Sequence, residues 1–138
     1  MLARLKLKEE KIQRVIAALT EESAKGKPII VEGKKDAQAL RELGVNGKIL
    51  TAKTGGKSFI EATAEIEKLG AREVILLLDF DRRGKEGTVR LKHNLERAKI
   101  KANTRFWREL HAFVGREIQC IESLTSYLRT LQGQIINF

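Results

Sequence analysis

Residues 74–78 restrict the fold of this sequence more than any other feature, because all five side chains (Val-Ile-Leu-Leu-Leu) are apolar. An unbroken run of this kind is typical of a strand that is buried on both faces of a parallel sheet. Parallel strands are joined by crossovers of a dozen or more residues, which are usually helices. The run therefore predicts an α/β fold with helices on both sides of a sheet.

The rest of the chain alternates between short apolar runs and longer amphipathic segments, as expected for repeated βα units. We predict strands at residues 29–31, 48–51, 74–78 and 104–107, and helices at residues 5–19, 35–43, 59–69, about 87–99 and 123–131. With 138 residues, the chain has the length of one compact domain. We predict a single domain (1–138) with a mostly parallel four-stranded core at about 27–107, an N-terminal helix within 1–25 and a C-terminal extension at 108–138.

The chain carries a formal net charge of +9, and residues 82–101 contain eight basic residues but only two acidic ones. A basic surface of this strength favours binding to a polyanion, nucleic acid above all. The single cysteine excludes an intrachain disulfide, and no apolar run approaches the ~20 residues that span a bilayer. The charged N-terminal segment lacks the apolar stretch of a secretory signal. We expect a cytoplasmic protein that binds RNA or DNA and does not bind a membrane.

Acidic residues follow two of the predicted strands: Glu32 follows the first, and Asp79 and Asp81 follow the apolar run. Ligands of open parallel sheets bind beyond the carboxyl ends of the strands, so these side chains meet if their strands are neighbours. In an extended segment Asp79 and Asp81 point the same way. Carboxylates held close together repel one another unless a cation lies among them, and oxygen ligands suit Mg²⁺ or Mn²⁺. Helix capping or solvation in loops would explain Glu32 and Asp81 equally well.

Two motifs, in this order, resemble those of the Toprim domain family. The first is an apolar strand followed by Glu32 and a glycine, with Asp36 three residues after that glycine. The second is residues 76–84 (LLLDFDRRG), an apolar strand followed by Asp-x-Asp and a glycine. One βα unit separates the motifs, and the resemblance covers roughly residues 27–107. Phe80 departs from the proline or small residue that many members carry there.

The resemblance implies a Toprim-like fold in which Glu32 is a candidate acid or base and Asp79 and Asp81 are candidate Mg²⁺ ligands. Toprim domains occur in topoisomerases, bacterial-type primases, rRNA-maturing ribonucleases and repair nucleases. We expect the three carboxylates to form a catalytic, metal-binding site. Basic side chains beside them are expected to neutralise substrate phosphates: Lys34, Lys35, Arg82, Arg83 and Lys85.

The sequence therefore predicts a Mg²⁺-dependent enzyme that acts on phosphodiester bonds, with a nuclease as the first hypothesis. A non-catalytic RNA- or DNA-binding module, or a subunit of a larger processing assembly, is the alternative. Binding alone should weaken with salt but survive the loss of metal and of the acids, whereas catalysis should need both. The outer helices at 5–19 and 123–131 either pack on the core or form the face of a homodimer.

A glycine-rich stretch at residues 54–58 (TGGKS) resembles the end of a phosphate-binding P-loop. Thr51, however, occupies the position of the motif's first glycine, so we reject an ATP site. Ser58 begins a capping-box pattern for the following helix. Lys53 and Lys57 remain candidates for contact with a nucleic-acid phosphate.

Four other residues have a structural interpretation. Asp36 is expected to stabilise the first turn of its helix, where the helix dipole favours an anion. Cys120, which has isoleucines nearby, is predicted to be an inert core thiol. Tyr127 shares a helical face with leucines, and Trp107 lies in a predicted strand. Both aromatic residues are therefore expected to pack in the core rather than to react or to stack on a base.

Overall fold

The computed structural model of the chain describes residues 1–53 and 56–137, with the backbone alone at residues 56 and 57. Its elements in chain order are α1 (Leu2–Ala24), β1 (Ile29–Val31), α2 (Lys34–Glu42), β2 (Ile49–Thr51), α3 (Gly56–Leu69), β3 (Glu73–Leu77), α4 (Arg82–Arg97), β4 (Lys101–Asn103), α5 (Arg105–Val114) and α6 (Leu124–Ile136). A 3₁₀ turn at Ile121–Ser123 leads directly into α6. Within the described ranges, no helix is both long and apolar enough to cross a membrane.

The four strands form one sheet in the order β2-β1-β3-β4, and every neighbouring pair is parallel. The predicted α/β fold with a mostly parallel four-stranded sheet is therefore confirmed, and the sheet is parallel throughout. The central strands β1 and β3 are neighbours, with Val31 opposite Leu77. Because parallel strands end at the same edge, the acidic segments that follow β1 and β3 leave the sheet side by side.

Helices cover both faces of the sheet, and successive strand residues alternate between two cores. In β3 and just after it, Ile75 and Leu77 belong to the core that includes α1, α2, α5 and α6. Val74, Leu76 and Leu78 belong to the core beneath α3 and α4. All five side chains are fully buried, which explains the unbroken apolar run. Each contributes roughly 1.5–3 kcal/mol by its removal from water.

The helices at the two ends of the chain pack on each other and on the core. Their buried residues recur every three or four positions, the pattern of an amphipathic helix: Ile12, Val15, Ile16 and Leu19 in α1, and Leu124, Leu128 and Leu131 in α6. Tyr127 is half-buried in the same layer, so its predicted packing role is confirmed.

The predicted fourth strand at residues 104–107 is wrong. The strand is Lys101–Asn103, and the chain becomes helical at Arg105. The Asn103 side chain accepts a hydrogen bond from the Arg105 N–H at 2.9 Å, which favours the start of a helix. The apolar residues that follow recur every four positions and are fully buried: Phe106, Leu110 and Val114. This helical period outweighs the β propensity of the aromatic residues.

Helix α3 begins three residues earlier than the sequence predicts, at Gly56 instead of Phe59. None of residues 56–58 is proline or β-branched, so the helix continues through them. Ser58 therefore lies inside the helix, and the predicted capping box is wrong. Residues 54 and 55 and the side chain of Lys57 lie outside the described part of the chain, so the phosphate contact expected at this loop stays a prediction.

Candidate functional site

Glu32 and Asp79 lie beside each other at the carboxyl edge of the sheet. Each follows a central strand, and the register of β1 against β3 brings the two segments together. The Glu32 carboxylate accepts a hydrogen bond from the Asp79 backbone N–H, with an Oε2–N distance of 3.0 Å. Both residues are half-buried. The structure thus brings together the two acids that the sequence places at the ends of neighbouring strands.

Asp81 is held differently, as the residue that caps the N-terminus of α4. Its Oδ1 accepts a hydrogen bond from the Gly84 N–H at 2.7 Å. The capping role that the sequence left open for Asp81 is therefore present. Its negative charge also contributes to a raised pKa at Asp79, so the two carboxylates are close enough to interact. Capping engages one carboxylate oxygen, and a role for Asp81 as a metal ligand stays a prediction.

Gly84 allows the first turn of α4 to lie directly against the peptide of Asp79. A Cβ added at Gly84 would be 2.5 Å from the Asp79 carbonyl carbon and 2.9 Å from its Cα, which no side chain tolerates. Gly84 is buried and does not have a positive φ. Gly33, which precedes α2, is extended, with φ −142°. It is therefore close packing, and not a positive φ, that requires glycine at position 84.

Asp36 connects the acidic edge to the C-terminal part of the chain. Its Oδ2 accepts a hydrogen bond from the Gly33 N–H at 3.0 Å, which stabilises the first turn of α2 as predicted. Its Oδ1 accepts another from the Glu122 N–H at 2.8 Å, across 86 positions of sequence. Burial of the side chain raises the pKa of Asp36, while the two N–H donors oppose that shift by stabilising the carboxylate.

Replacing Asp36 by alanine is expected to lower the free energy of unfolding by about 2 kcal/mol. The change removes a helix-capping acceptor and a charge-assisted hydrogen bond, while relief of repulsion with Asp79 offsets part of the loss. Chemical denaturation of the wild type, Asp36→Ala and Asp36→Asn measures the effect. The asparagine variant should lose less stability because it keeps one acceptor oxygen. A loss below about 0.5 kcal/mol in the alanine variant would mean that apolar contacts alone hold the C-terminal segment.

Cys120 contributes a thiol to the same edge. Among the described residues, its Sγ and carboxylate oxygens of Asp36 and Asp79 all lie within 4.8 Å of one another, a spacing compatible with three ligands of one metal ion. The predicted core location of Cys120 is therefore wrong, since the residue is half-buried beside the acids, whereas the inertness of its thiol stays a prediction. The backbone around Cys120 is neither helix nor strand, so its buried isoleucine neighbours do not determine where the thiol lies.

Asp79 is an acid with a strongly shifted pKa. Burial, and then the negative charges of Glu32 and Asp36, raise the pKa of its carboxyl group to about 7. Its Oδ1 is buried and has no hydrogen-bond partner among the described residues. A divalent cation would supply the missing partner and a positive charge beside these acids. The donor set at this edge therefore fits a divalent metal ion.

Two further contacts to the backbone around Asp79 come from α5, and sequence reasoning missed them. Trp107 donates its indole N–H to the Leu78 carbonyl at 2.9 Å, and to the Asp79 carbonyl at 3.4 Å. The rings of Trp107 and His111 are stacked with centroids 5.0 Å apart, and buried Phe80 packs against both. The four-residue spacing of Trp107 and His111 could have indicated a helix with both rings on one face. Trp107 packs as predicted, but on a helix rather than in a strand.

Six of the basic residues expected to contact phosphates have exposed side chains: Lys34, Lys35, Lys53, Arg82, Arg83 and Lys85. The side chain of the seventh, Lys57, lies outside the described part of the chain. Lys34 and Lys35 begin α2, and Arg82 begins α4 directly after Asp81. Arg82 also pairs with Glu86 at 3.1 Å. An exposed pair of this kind stabilises a helix by only about 0.3–0.5 kcal/mol, so it does not prevent Arg82 from binding a phosphate.

Known proteins match this chain over most of its length. The family model of the Toprim domain matches residues 27–129. A UPF0292 protein from Methanocaldococcus jannaschii is 41% identical over 120 residues, which cover 86% of this chain and 91% of that protein. A UPF0292 protein from Methanosarcina acetivorans is 34% identical over 125 residues, which cover 91% of this chain and 85% of that protein.

The fold also has a counterpart among solved structures. A protein from Aquifex aeolicus is similar with a TM-score of 0.66 and 25% sequence identity, covering 80% of this chain and 94% of that one. The range matched by the family model includes both acidic motifs and continues beyond the sheet into α6. The resemblance drawn from the two motifs is therefore confirmed, and the chain belongs to the Toprim domain family.

Proposed function

We propose that this protein is a Mg²⁺- or Mn²⁺-dependent nuclease whose chemistry takes place at Glu32, Asp79 and Asp81. The observation that carries the proposal is the buried Oδ1 of Asp79, which has no partner among the described residues and lies in a cluster of acids. Membership of the Toprim domain family supports a metal-binding role in nucleic-acid processing. The net charge of +9 supports a polyanionic substrate.

The three acids are assigned different tasks. Asp79 is the central metal ligand, because its buried Oδ1 has no hydrogen-bond partner among the described residues. Asp81 is the second ligand, held in orientation by its hydrogen bond from the first turn of α4. Glu32 fixes the Asp79 backbone through its 3.0 Å hydrogen bond and is the general acid or base. When bound, a divalent cation stabilises the charge that develops on a phosphoryl oxygen.

The ligand chemistry of the site bears on the choice of metal. Carboxylate oxygens suit Mg²⁺ and Mn²⁺ equally by type. The thiol of Cys120, within 4.8 Å of the Asp79 carboxylate, adds a softer donor that Mg²⁺ rarely accepts. We therefore expect Mn²⁺ to support activity at lower concentrations than Mg²⁺ does.

The exposed cations beside the acids are assigned to substrate phosphates. Lys34 and Lys35 lie in the first turn of α2, and Arg82 and Lys85 lie in the first turn of α4. Both helices begin at the acidic edge, so the positive ends of their dipoles, like these side chains, attract a phosphate. Such contacts neutralise backbone charge and orient a phosphodiester toward the acids. Lys53 and Lys57, on either side of the loop after β2, are assigned to a further phosphate.

A cleavage assay on end-labelled RNA and DNA, each single- and double-stranded, tests the proposal. The wild type is compared in Mg²⁺, Mn²⁺ and EDTA with two matched variants, Glu32→Gln at the site and Glu65→Gln on the exposed face of α3. We expect the wild type and Glu65→Gln to cleave at least one substrate when a metal is present. Glu32→Gln should cleave it at least ~100-fold more slowly, because it has lost the acid or base.

Cleavage that persists in EDTA, or at the wild-type rate in Glu32→Gln, would refute this assignment. Retention of nucleic acid by every variant, with no cleavage under any condition, would favour the alternative: a non-catalytic binding module or a subunit of a larger processing assembly. The four substrates in one assay also identify the nucleic acid and its strandedness.

A further inference from the structure

A cleft of about 250 Å³ lies between α1 and α5, and the nuclease mechanism proposed above makes no use of it. Its lining consists of Lys11, Arg14, Val15, Arg105, Glu109 and Phe113. Three of the four charged side chains are cationic. The cleft is thus a concave surface with an excess of positive charge.

The positive charge of this cleft is only partly compensated. Arg105 pairs with Glu109 at 2.7 Å. Lys11 and Arg14 are exposed and form no ion pair within the described part of the chain. Lys11 instead lies over the ring of Phe113, with its Nζ 5.9 Å from the ring centroid. Two cations beside an aromatic wall are therefore available to an anion.

Two other clefts provide a contrast in charge. The cleft between α3 and α4 is lined by one acidic and one basic residue, Glu67 and Arg97. The cleft between α2 and α6 is lined by two acidic and two basic residues: Glu42, Glu122, Lys35 and Arg129. Among these three clefts of the described structure, only the one between α1 and α5 has a net positive lining. The contrast points to an anionic ligand for that cleft.

Helix α5 lies between the cleft and the acidic site. Residues two positions apart differ by about 200° around a helix, so Glu109 and Phe113 lie on the opposite side from Trp107 and His111. Trp107 and His111 pack beside the acids, and exposed Arg108 lies on the surface between the two sides. Because a helix is about 10–12 Å across and a strand must pass around it, a strand bound at the acids would need at least roughly three or four nucleotides to reach the cleft.

We propose that the cleft between α1 and α5 is a second anion-binding site, which holds backbone phosphates of the nucleic acid a few nucleotides away from the acidic site. This assignment rests on the proposed function for the identity of the polyanion. Lys11 and Arg14 increase the affinity for nucleic acid, and only a strand long enough to reach both the acids and the cleft gains this contribution. They take no part in the chemical step.

Charge reversal at the cleft tests this site. Fluorescence anisotropy measures binding of the full chain to labelled RNA or DNA, single- and double-stranded and long enough to span both sites, in EDTA at several salt concentrations. The cleft variant carries Lys11→Glu and Arg14→Glu. The control carries Lys68→Glu and Arg72→Glu, which makes the same change in net charge at the amino edge of the sheet. All four side chains are exposed, so both variants should fold.

We expect the cleft variant to bind at least ~10-fold more weakly than the wild type, and its plot of log K against log salt to be shallower by roughly 1.4–1.8, the value for two phosphate contacts. The control should lose less than about 3-fold. A double variant with Lys11→Gln and Arg14→Gln should also bind more weakly than the wild type, but by a smaller factor, because its charges are removed and not reversed. Equal losses in the cleft variant and the control, or binding at the wild-type strength by the cleft variant, would overturn the assignment.

The outcomes for the cleft and for the nuclease are separable because the binding assay contains no metal. Binding that depends on the cleft, without metal-dependent cleavage by the wild type, would support the cleft and refute the nuclease. Metal-dependent cleavage by the wild type, together with unchanged binding by the cleft variant, would support the nuclease and refute the cleft. Failure of the wild type to bind any of the strands would overturn the cleft assignment.

Discussion

Changing Asp79 to asparagine is expected to reduce metal-dependent cleavage by at least ~10³-fold and, without metal, to make the protein more stable above pH 7. Asparagine has nearly the same shape but lacks the charge that a divalent cation needs. A loss of that size corresponds to about 4 kcal/mol of transition-state stabilisation. The gain in stability arises because the neutral amide removes repulsion with Glu32 and Asp36.

The sign of the stability change follows from the pKa of Asp79, which is raised to about 7 in the folded protein. An aspartate in an unfolded chain has a pKa of ~3.9. Between this pH and about pH 7, the folded protein therefore binds a proton at Asp79 that the unfolded chain has released. The stability from this proton is fully present below about pH 4 and is lost as the pH rises to about 7. The loss is roughly 1–2 kcal/mol, because the carboxyl group is partly exposed and solvent screens its interactions.

Denaturation in EDTA at about pH 5 and pH 8 measures this effect, with the cleavage assay on the same samples. The wild type should lose about 1 kcal/mol more than Asp79→Asn between the two pH values, because part of the effect already occurs below about pH 5. An inactive variant that is more stable at pH 8 would separate lost chemistry from lost structure. If the variant were less stable than the wild type at pH 8, or cleaved as fast, Asp79 would not be an electrostatically strained metal ligand.

Changing Gly84 to alanine is expected to lower the free energy of unfolding by about 3 kcal/mol. The added Cβ would collide with the backbone of Asp79, and backbone atoms cannot rotate away as a flexible side chain can. Either α4 must move from the edge of the sheet or the Asp79 peptide must shift. Both movements disturb the hydrogen bond that orients Asp81, so metal-dependent cleavage should fall as well.

Gly133→Ala is the matched control, because it makes the same chemical change in the helix α6, where nothing lies within 4 Å of the added Cβ. Alanine favours helix more than glycine does, so this variant should be unchanged or more stable by up to about 1 kcal/mol. Thermal or chemical denaturation compares the two variants. Similar stabilities of Gly84→Ala and Gly133→Ala would show that α4 can move away from the sheet without a loss of unfolding free energy. Gly84 would then not be needed to position the acids.

The arrangement of Glu32 and Asp79 could be predicted from the sequence because each follows an apolar strand. Five buried residues before Asp79 identify a central strand, and carboxyl ends of parallel strands share an edge. What the sequence could not supply was the strand order, which the pairing of β1 with β3 provides. The sequence contains three aspartates, and the structure places all of them at this edge.

The contacts made by α5 and the C-terminal segment could not be predicted, because they join residues far apart in the chain. The hydrogen bond from Trp107 to Leu78 spans 29 positions, and the one from Glu122 to Asp36 spans 86. Local patterns describe only neighbours along a helix or strand. Cys120 was misplaced for the same reason, since it lies in irregular backbone without a period.

Isothermal titration of the metal-free protein with Mn²⁺ tests most directly whether the carboxylates after β1 and β3 hold a divalent cation. We expect saturable binding by the wild type, the same affinity in Glu65→Gln, and an affinity at least ~10-fold lower in Asp79→Asn, because that variant lacks the central ligand. Equal affinities of the wild type and Asp79→Asn, or no saturable binding by the wild type, would contradict a metal site at Asp79.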